Sequence, residues 1–310
     1  MTMEADLALS GESSPRRRRL ADNDRFLAFA GMAPAVVYII ALVGIPFVLA
    51  ILLAFSDVTV GDPSLDFVGL DSLRQVVSDR VFWTSLRNTF VFTIIANVLV
   101  VIFATAIAMA LAKDFKGKWV VRFLILLPWT TPVSLAAITW LWTLDSIFSP
   151  IDWVLRQVGL IDSNVIYLGK PVWAMASVIT VHAWRVVPLA AVIVLAGLIG
   201  LSKDIEDAAA VDGARFWRKM FEIDIPLLAP IIGVAVLFGV ILTVTDMTVV
   251  YVLTRGGPTN ATQVLASWAF FKGIEGGDLA QGAGTALFLF PVLVAIAALI
   301  LRMARRREVG

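Results

Sequence analysis

The chain has 310 residues, 59% of them hydrophobic and 16% charged, with a net charge of +1 at pH 7. Soluble domains carry about 25% charged residues, and a mean hydropathy of +0.89 leaves too little charge to clothe a water-soluble fold of this size. With no cysteine and a single histidine, His182, a disulfide framework, an iron–sulfur cluster, a cysteine nucleophile and a multi-histidine metal site are excluded.

The polar start, residues 1–25, holds the run Arg16, Arg17, Arg18 and Arg19. The apolar stretch behind it is too long for a signal-peptide core, so no cleaved signal is expected. A membrane helix needs roughly 20 apolar residues. Charge-free runs of that length occupy residues 26–55, 88–112, 123–144, 171–202 (interrupted by Arg185), 225–245 (continuing to Thr254 beyond Asp246) and 279–301. Prolines 34, 46, 128, 132, 188 and 291 fall inside them, which helix bundles tolerate. The expected fold is all-α: a polytopic membrane protein with six transmembrane helices over 26–303, flanked by basic tails at 1–25 and 304–310.

Lysine and arginine set the orientation. With the N terminus cytoplasmic, the inner segments hold Arg16 to Arg19, Arg25, Lys113, Lys116, Lys118, Arg122, Lys203, Arg215, Arg218, Lys219, Arg302 and Arg305 to Arg307. The outer segments hold only Arg74, Arg80, Arg87, Arg156, Lys170, Arg255 and Lys272. Both termini are therefore expected inside. Residues 56–87, 145–170 and 255–278 read as long external loops, and 113–122 and 203–224 as cytoplasmic ones.

The second cytoplasmic loop is informative. A short helix is expected near Asp204, with carboxylates in its first turn where the helix dipole favours them. Ala208, Ala209 and Ala210 give it a smooth face, and Asp212-Gly213 is a stop signal. A second amphipathic helix carries Phe216, Trp217, Met220, Phe221 and Ile223. Pro226 then opens the fifth span, where a first-turn proline is tolerated. By residue chemistry this loop suits either docking into a partner's groove or lying on the membrane surface.

Asp207-Ala208-Ala209, Asp212-Gly213-Ala214 and Ile223-Asp224-Ile225-Pro226 resemble the Glu-Ala-Ala loop of permeases from binding-protein-dependent ABC importers, with Asp207 for the usual Glu and Ile225 for Leu. Residues 67–73, Phe82-Trp83, Leu86-Arg87-Asn88-Thr89 and Leu253-Thr254-Arg255-Gly256-Gly257-Pro258 resemble the sugar branch of that family, similar to maltose-type and glycerol-3-phosphate-type permeases. The maltose-type larger permease adds two N-terminal helices and a large external domain; this sequence reads as the six-helix type I core.

The resemblance implies one permease half of a carbohydrate importer in the bacterial plasma membrane. It implies ATPase contact through Asp207, Ala208, Ala209, Asp212, Gly213, Ala214 and Pro226. The implied partners are a second homologous permease in a pseudo-twofold heterodimer, two ATP-binding-cassette subunits that hold the ATP and magnesium, and an extracytoplasmic binding protein. The implied cargo is a di- or oligosaccharide or a glycoside. No cofactor on this chain and no nucleic-acid partner are expected. Gly117-Lys118 lacks the rest of a phosphate-binding loop, so no ATP hydrolysis by this chain is expected either.

Charged residues within a span cost about 2.5–3.5 kcal/mol on insertion scales and mark function. Here they are Arg185 and Asp246, with His182 nearby. Helix rise puts Arg185 and Asp246 roughly 9 Å apart in height, which an arginine can largely bridge. An ion pair between helices and a polar lining for sugar hydroxyls are both open readings. The resemblance places a maltose permease's sugar-contacting positions on His182, Val186 and Leu189 and on Gly239, Leu242, Thr243 and Asp246. Its asparagines are His182, Thr243 and Asp246 here, so substrate identity is not inherited. Trp129, Thr130 and Thr131 offer an aromatic platform or simply helix packing. The rival reading, a self-sufficient secondary transporter, calls for an internal repeat, and no motif recurs.

Overall fold

Proline decides where these apolar helices bend. The computed structural model describes residues 24–308, in which every regular element is helical and extended backbone pairs only once, Ser56 with Phe67. The Arg16–Arg19 run lies outside the described residues. The chain divides after Leu49 into two units. Helix α1 (Asp24–Ile39) passes through a π-helical turn (Ile40–Gly44) into α2 (Ile45–Ala54), whose last five residues belong to the second unit. The Ile45 N–H reaches back five residues to the Ile40 carbonyl. This widened turn stands directly before Pro46, whose ring lacks an N–H to continue an α-ladder.

Beyond α2 the second unit continues with α3 (Asp71–Ser78), and α4 (Arg80–Ala112) follows after Asp79, whose carboxylate accepts from the Val81 N–H at 2.8 Å. The third span is not one straight helix as expected. It breaks into α5 (Lys118–Thr130) and α6 (Val133–Thr143), bent by 95°. A residue before proline is pushed out of the helical region, and Thr131, before Pro132, is extended at φ −72, ψ 132. After α7 (Pro150–Gln157), α8 (Pro171–Ile199) crosses unbroken despite Pro188.

The cytoplasmic-loop expectation holds for its first helix and needs correction at Pro226. Helix α9 (Lys203–Val211) starts at Lys203, because the Ser202 hydroxyl caps it by accepting from the Asp204 N–H. Pro226 does not open the fifth span. Helix α10 (Phe216–Arg218), a π-helical turn (Lys219–Asp224) and α11 (Ile225–Val244) run together as one span, Phe216–Val244. The Ile225 N–H bonds the Met220 carbonyl, so the ladder lengthens just before Pro226, as it does before Pro46. The span then ends at Val244, and α12 (Thr248–Thr254) is a separate helix.

Residues 255–278, expected as a long external loop, carry structure of their own: an irregular stretch, α13 (Leu265–Phe270) and a third π-helical turn (Phe271–Glu275). Thr262, Gln263 and Ser267 are buried. Non-helical backbone survives at such depth only when protein groups satisfy it. Asn88 of α4 donates to the Ala261 and Gln263 carbonyls at 2.9 and 3.0 Å, and the Thr89 hydroxyl accepts from the Leu265 N–H. Helices α14 (Leu279–Leu287) and α15 (Leu289–Glu308) complete the chain.

The core forms where small residues let helices approach. Ala104 and Ala108 of α4 meet Ala183, Ala190 and Ala191 of α8 with Leu228 and Ala235 of α11. A second cluster joins Phe92, Val178 and Val181 to Val249, Val250 and Leu253.

Candidate functional site

Two sites emerge. The first lies where α8 passes the break between α11 and α12. Asp246 sits in that break and works on both sides of it. Its Oδ1 accepts from the backbone N–H groups of Thr248 and Val249 at 2.8 and 3.2 Å, capping α12. Its Oδ2 accepts from Arg185 Nη2 at 3.2 Å and lies 2.9 Å from His182 Nδ1. His182 Nε2 is 2.9 Å from the Thr243 hydroxyl, which also contacts the Gly239 carbonyl at 2.7 Å and accepts from Asn97 Nδ2 at 3.2 Å.

Two proton arrangements satisfy the histidine. If Thr243 donates to Gly239, both ring nitrogens donate and the ring is an imidazolium. If Thr243 turns its proton to Nε2, a neutral ring donates from Nδ1 to Asp246. The choice is coupled to whether the Gly239 carbonyl keeps its hydroxyl partner.

The structure therefore brings together His182, Arg185, Thr243, Asp246 and Gly239. Val186 and Leu242 instead pack in the apolar core, and Leu189 is half-buried on α8. The His182 side chain has no accessible surface and that of Asp246 has 5%, whereas Arg185 keeps 15%. Arg185 is thus the least buried of the three charged or ionisable members. Its guanidinium lies 5.8 Å from the Trp129 ring centre, next to the bend of the third span, and its Nε makes no hydrogen bond.

Sequence reasoning missed Asn97. It donates to Thr243 and to the Thr93 carbonyl, and its Oδ1 lies where a Cβ on Gly239 would be. The signal was available: Asn88 and Asn97 are the two amides in an otherwise apolar span, and each marks an inward face.

The second site is the 203–224 segment. Asp207, Ala208, Asp212 and Gly213 are exposed, Ala209 is buried at 4% and Ala214 is half-buried. Gly213 ends α9 with φ +68. The Ala214 N–H bonds the Ala209 carbonyl and the Gly213 N–H bonds that of Ala210, the Schellman arrangement that needs a left-handed residue. Val211, before this turn, and Phe216, Trp217 and Phe221, beyond it, are exposed at 87%, 50%, 66% and 60%. Trp217 stacks on Phe221 at 6.1 Å, and Lys113 lies over Phe216 at 5.4 Å. The exposed Pro226 lies one turn further along the same continuous helix.

The family model described as binding-protein-dependent transport system inner membrane component matches residues 102–307. The sulfoquinovosyl glycerol transport system permease protein of Agrobacterium fabrum is 29% identical over 297 residues, 95% of this chain and 96% of the relative. The trehalose/maltose transport system permease protein of Thermococcus litoralis is 30% identical over 246 residues, 79% of this chain and 82% of the relative. A chain of a bacterial alginate ABC transporter, crystallised with an alginate pentasaccharide-bound periplasmic protein, superposes with TM-score 0.78 at 18% identity, covering 93% of this chain and 98% of that one. With the Schellman-capped α9 and the broken third span inside the matched region, this chain belongs to the family of binding-protein-dependent transport system inner membrane components.

Proposed function

We propose that the chain is a transmembrane permease subunit of an ATP-binding-cassette importer for a di- or oligosaccharide or a glycoside, and forms half of the translocation path. The observation that carries this reading is mechanical. One continuous helix, the 29-residue span Phe216–Val244, links the exposed turn at Gly213 to Thr243 and to Asp246 just beyond its end. At the α-helical rise this is roughly 40 Å, about the thickness of a bilayer with its headgroups. A push on α9 enters this span through the Gly213 turn and then travels along one helix to the buried cluster, interrupted only by the π-helical turn before Pro226.

Two ATPase subunits, which bind ATP and magnesium, dock on α9 and its flanking aromatics from the cytoplasm. A second homologous permease completes the path, and an extracytoplasmic binding protein delivers the solute. Both termini face the cytoplasm of a bacterial plasma membrane. When α11 moves, the Arg185–Asp246 contact and the His182–Thr243 contact change together, because all four belong to one network spanning α8 and the α11–α12 break. Opening that network exposes hydroxyl, imidazole and carboxylate groups that can replace water around a polyol. The permease names of relatives aligned along most of the chain support the sugar class.

The test is uptake into proteoliposomes holding the whole complex. Uptake that requires ATP, the ATPase subunits and the binding protein supports the reading. Uptake by this chain with its homologue alone refutes it in favour of a secondary transporter.

A further inference from the structure

A cavity of about 570 Å³ lies between α4 and the span Phe216–Val244, at the end of the bundle that carries the loops 113–122 and 203–224. Every residue that lines it belongs to the second unit. Val101, Ile102, Ala106 and Met109 of α4 form one wall, and Met220 and Ile232 stand on the other. Ile102 and Ala106 are exposed, so this is a groove open at the surface of the chain and not a void sealed in its core. From Val101 to Lys113 the α4 wall runs about 18 Å at the α-helical rise. The hydrocarbon of one leaflet is about 15 Å deep, half of the roughly 30 Å core. Both walls belong to spans, so the deep end lies below the reach of a cytoplasmic protein.

Charge enters at one end only. Lys113, the residue after α4, is the one charged side chain among the described residues that line the groove. Its ammonium stands 5.4 Å over the Phe216 ring. The acids close to it in sequence and across the groove are already paired, Asp114 with Lys118 at 3.1 Å and Glu222 with Arg218 at 2.9 Å. No ion pair of Lys113 occurs among the described residues. Trp217, exposed at the same end, is the residue type that settles at the headgroup level of a bilayer. A cation and an aromatic at the mouth, with a leaflet-deep apolar slot below, complement a phospholipid group by group: anionic phosphate at the surface, acyl chain beneath. A free phosphate ion uses the mouth alone, and a zwitterionic lipid gains little from Lys113.

We propose that this groove holds one acyl chain of an anionic phospholipid of the cytoplasmic leaflet, with its phosphate against Lys113. The ammonium donates to the phosphate oxygens in charge-assisted hydrogen bonds. The chain packs between α4 and the π-helical turn Lys219–Asp224, which contributes Met220 and Phe221 to the wall. Basic residues at the cytoplasmic ends of spans attract anionic lipid in general, and basic sites between helices hold single headgroups. The slot turns a diffuse attraction into a counted lipid. The inference needs the cytoplasmic placement of this end of the bundle and not the identity of the cargo.

The experiment uses the complete transporter in nanodiscs of phosphatidylcholine mixed with a phosphatidylglycerol that carries a photoreactive group near the end of one acyl chain. Labelled peptides and the number of lipids retained in native mass spectrometry are the readouts. Label is expected around Val101 and around Ile232, at the deep end of the groove, and unlabelled phosphatidylglycerol should compete for it where phosphatidylcholine does not. Lys113→Gln is expected to lower phosphatidylglycerol retention about fivefold, and Lys113→Arg to keep it. Lys116→Gln removes the same charge from the same loop at a residue that does not line the groove, and should leave retention unchanged. Ala106→Trp fills the slot and should abolish the label while Lys113 remains, with size-exclusion chromatography confirming assembly of each variant. Equal competition by phosphatidylcholine in the wild type overturns the proposal, and that arm needs no variant. An equal loss in Lys116→Gln reduces the effect to bulk surface charge and overturns it too. Displacement of the label by inorganic phosphate would make the mouth a plain anion site, and label on the second permease in place of Val101 and Ile232 would show that protein covers the groove. Either result refutes the lipid site.

Discussion

Asp246→Ala removes one carboxylate and strands four donors. Arg185 Nη2 and His182 Nδ1 lose the oxygen they share, and the first turn of α12 loses the acceptor for the Thr248 and Val249 N–H groups. Truncating one partner of a buried ion pair costs about 3–5 kcal/mol, because the other charge stays behind uncompensated. Losing a helix cap adds about 1 kcal/mol. Arg185 retains 15% exposure, so the lower end of the first range applies and the sum is about 4 kcal/mol. Against a typical stability of about 5–15 kcal/mol, that is a large fraction. The expected result is a steep fall in the yield of assembled complex, measured by size-exclusion chromatography in detergent, with a lower melting temperature in the surviving fraction. Asp246→Asn should fall less, since an amide oxygen still caps α12. Arg185→Met combined with Asp246→Asn should recover assembly, because a neutral packed pair avoids the desolvation cost of ions. Wild-type yield and stability in Asp246→Ala would refute the four-donor account. A well-assembled double variant also reports on transport: persistent loss of uptake indicates direct sugar contact, and full uptake indicates a purely structural pair.

Gly213→Asp has room for its side chain, since no atom lies within 4 Å of a Cβ there, but it must adopt φ +68, at a cost of about 1 kcal/mol. The helices should insert normally while binding-protein-stimulated ATP hydrolysis no longer drives uptake; normal uptake would count against docking at this turn. Gly282→Ala should destabilise by about 1–3 kcal/mol, because its Cβ meets the Gly273 backbone rather than a movable side chain; a thermal melt identical to wild type would show that the π-helical turn at Phe271–Glu275 and α14 can separate. Tyr167, in the loop before α8, is pushed up to about 12 by burial and by its hydrogen bond to Asp152 at 2.7 Å. The neutral phenol is the bonded form, so this contribution is complete below pH 10 and is lost as pH rises towards 12. In an ultraviolet titration Asp152→Asn should bring the Tyr167 transition down, and an unmoved transition would exclude the carboxylate as a cause.

Much of this molecule was legible in its residues because the bilayer imposes a one-dimensional rule. A run of about 20 apolar residues must become a helix to satisfy its own backbone. The spans could therefore be read from composition, and Asp212-Gly213 declared its turn because few residues other than glycine accept a left-handed conformation. The same rule conceals what happens inside a span. Pro132 breaks the third one by 95° while Pro188 leaves α8 unbroken, and Pro46 and Pro226 are absorbed by π-helical turns. Which outcome a proline takes depends on whether neighbouring helices or a local widening re-pair the freed carbonyl.

Residues 255–278 read as a loop because they are rich in glycine and aromatics. The buried residues among them, Thr262, Gln263 and Leu265, are held by Asn88 and Thr89, over 170 residues earlier, which supply hydrogen bonds that irregular backbone needs away from water. Sequence alone marked Arg185 and Asp246, with His182 nearby, as charged or polar residues out of place in an apolar span, and the family resemblance added Thr243. Only the packing of α8 against the α11–α12 break, with Asn97 closing the network from α4, decided that they are one another's partners. A hydrogen bond is an event between specific atoms about 3 Å apart, and periodicity along a single helix cannot set the distance between two.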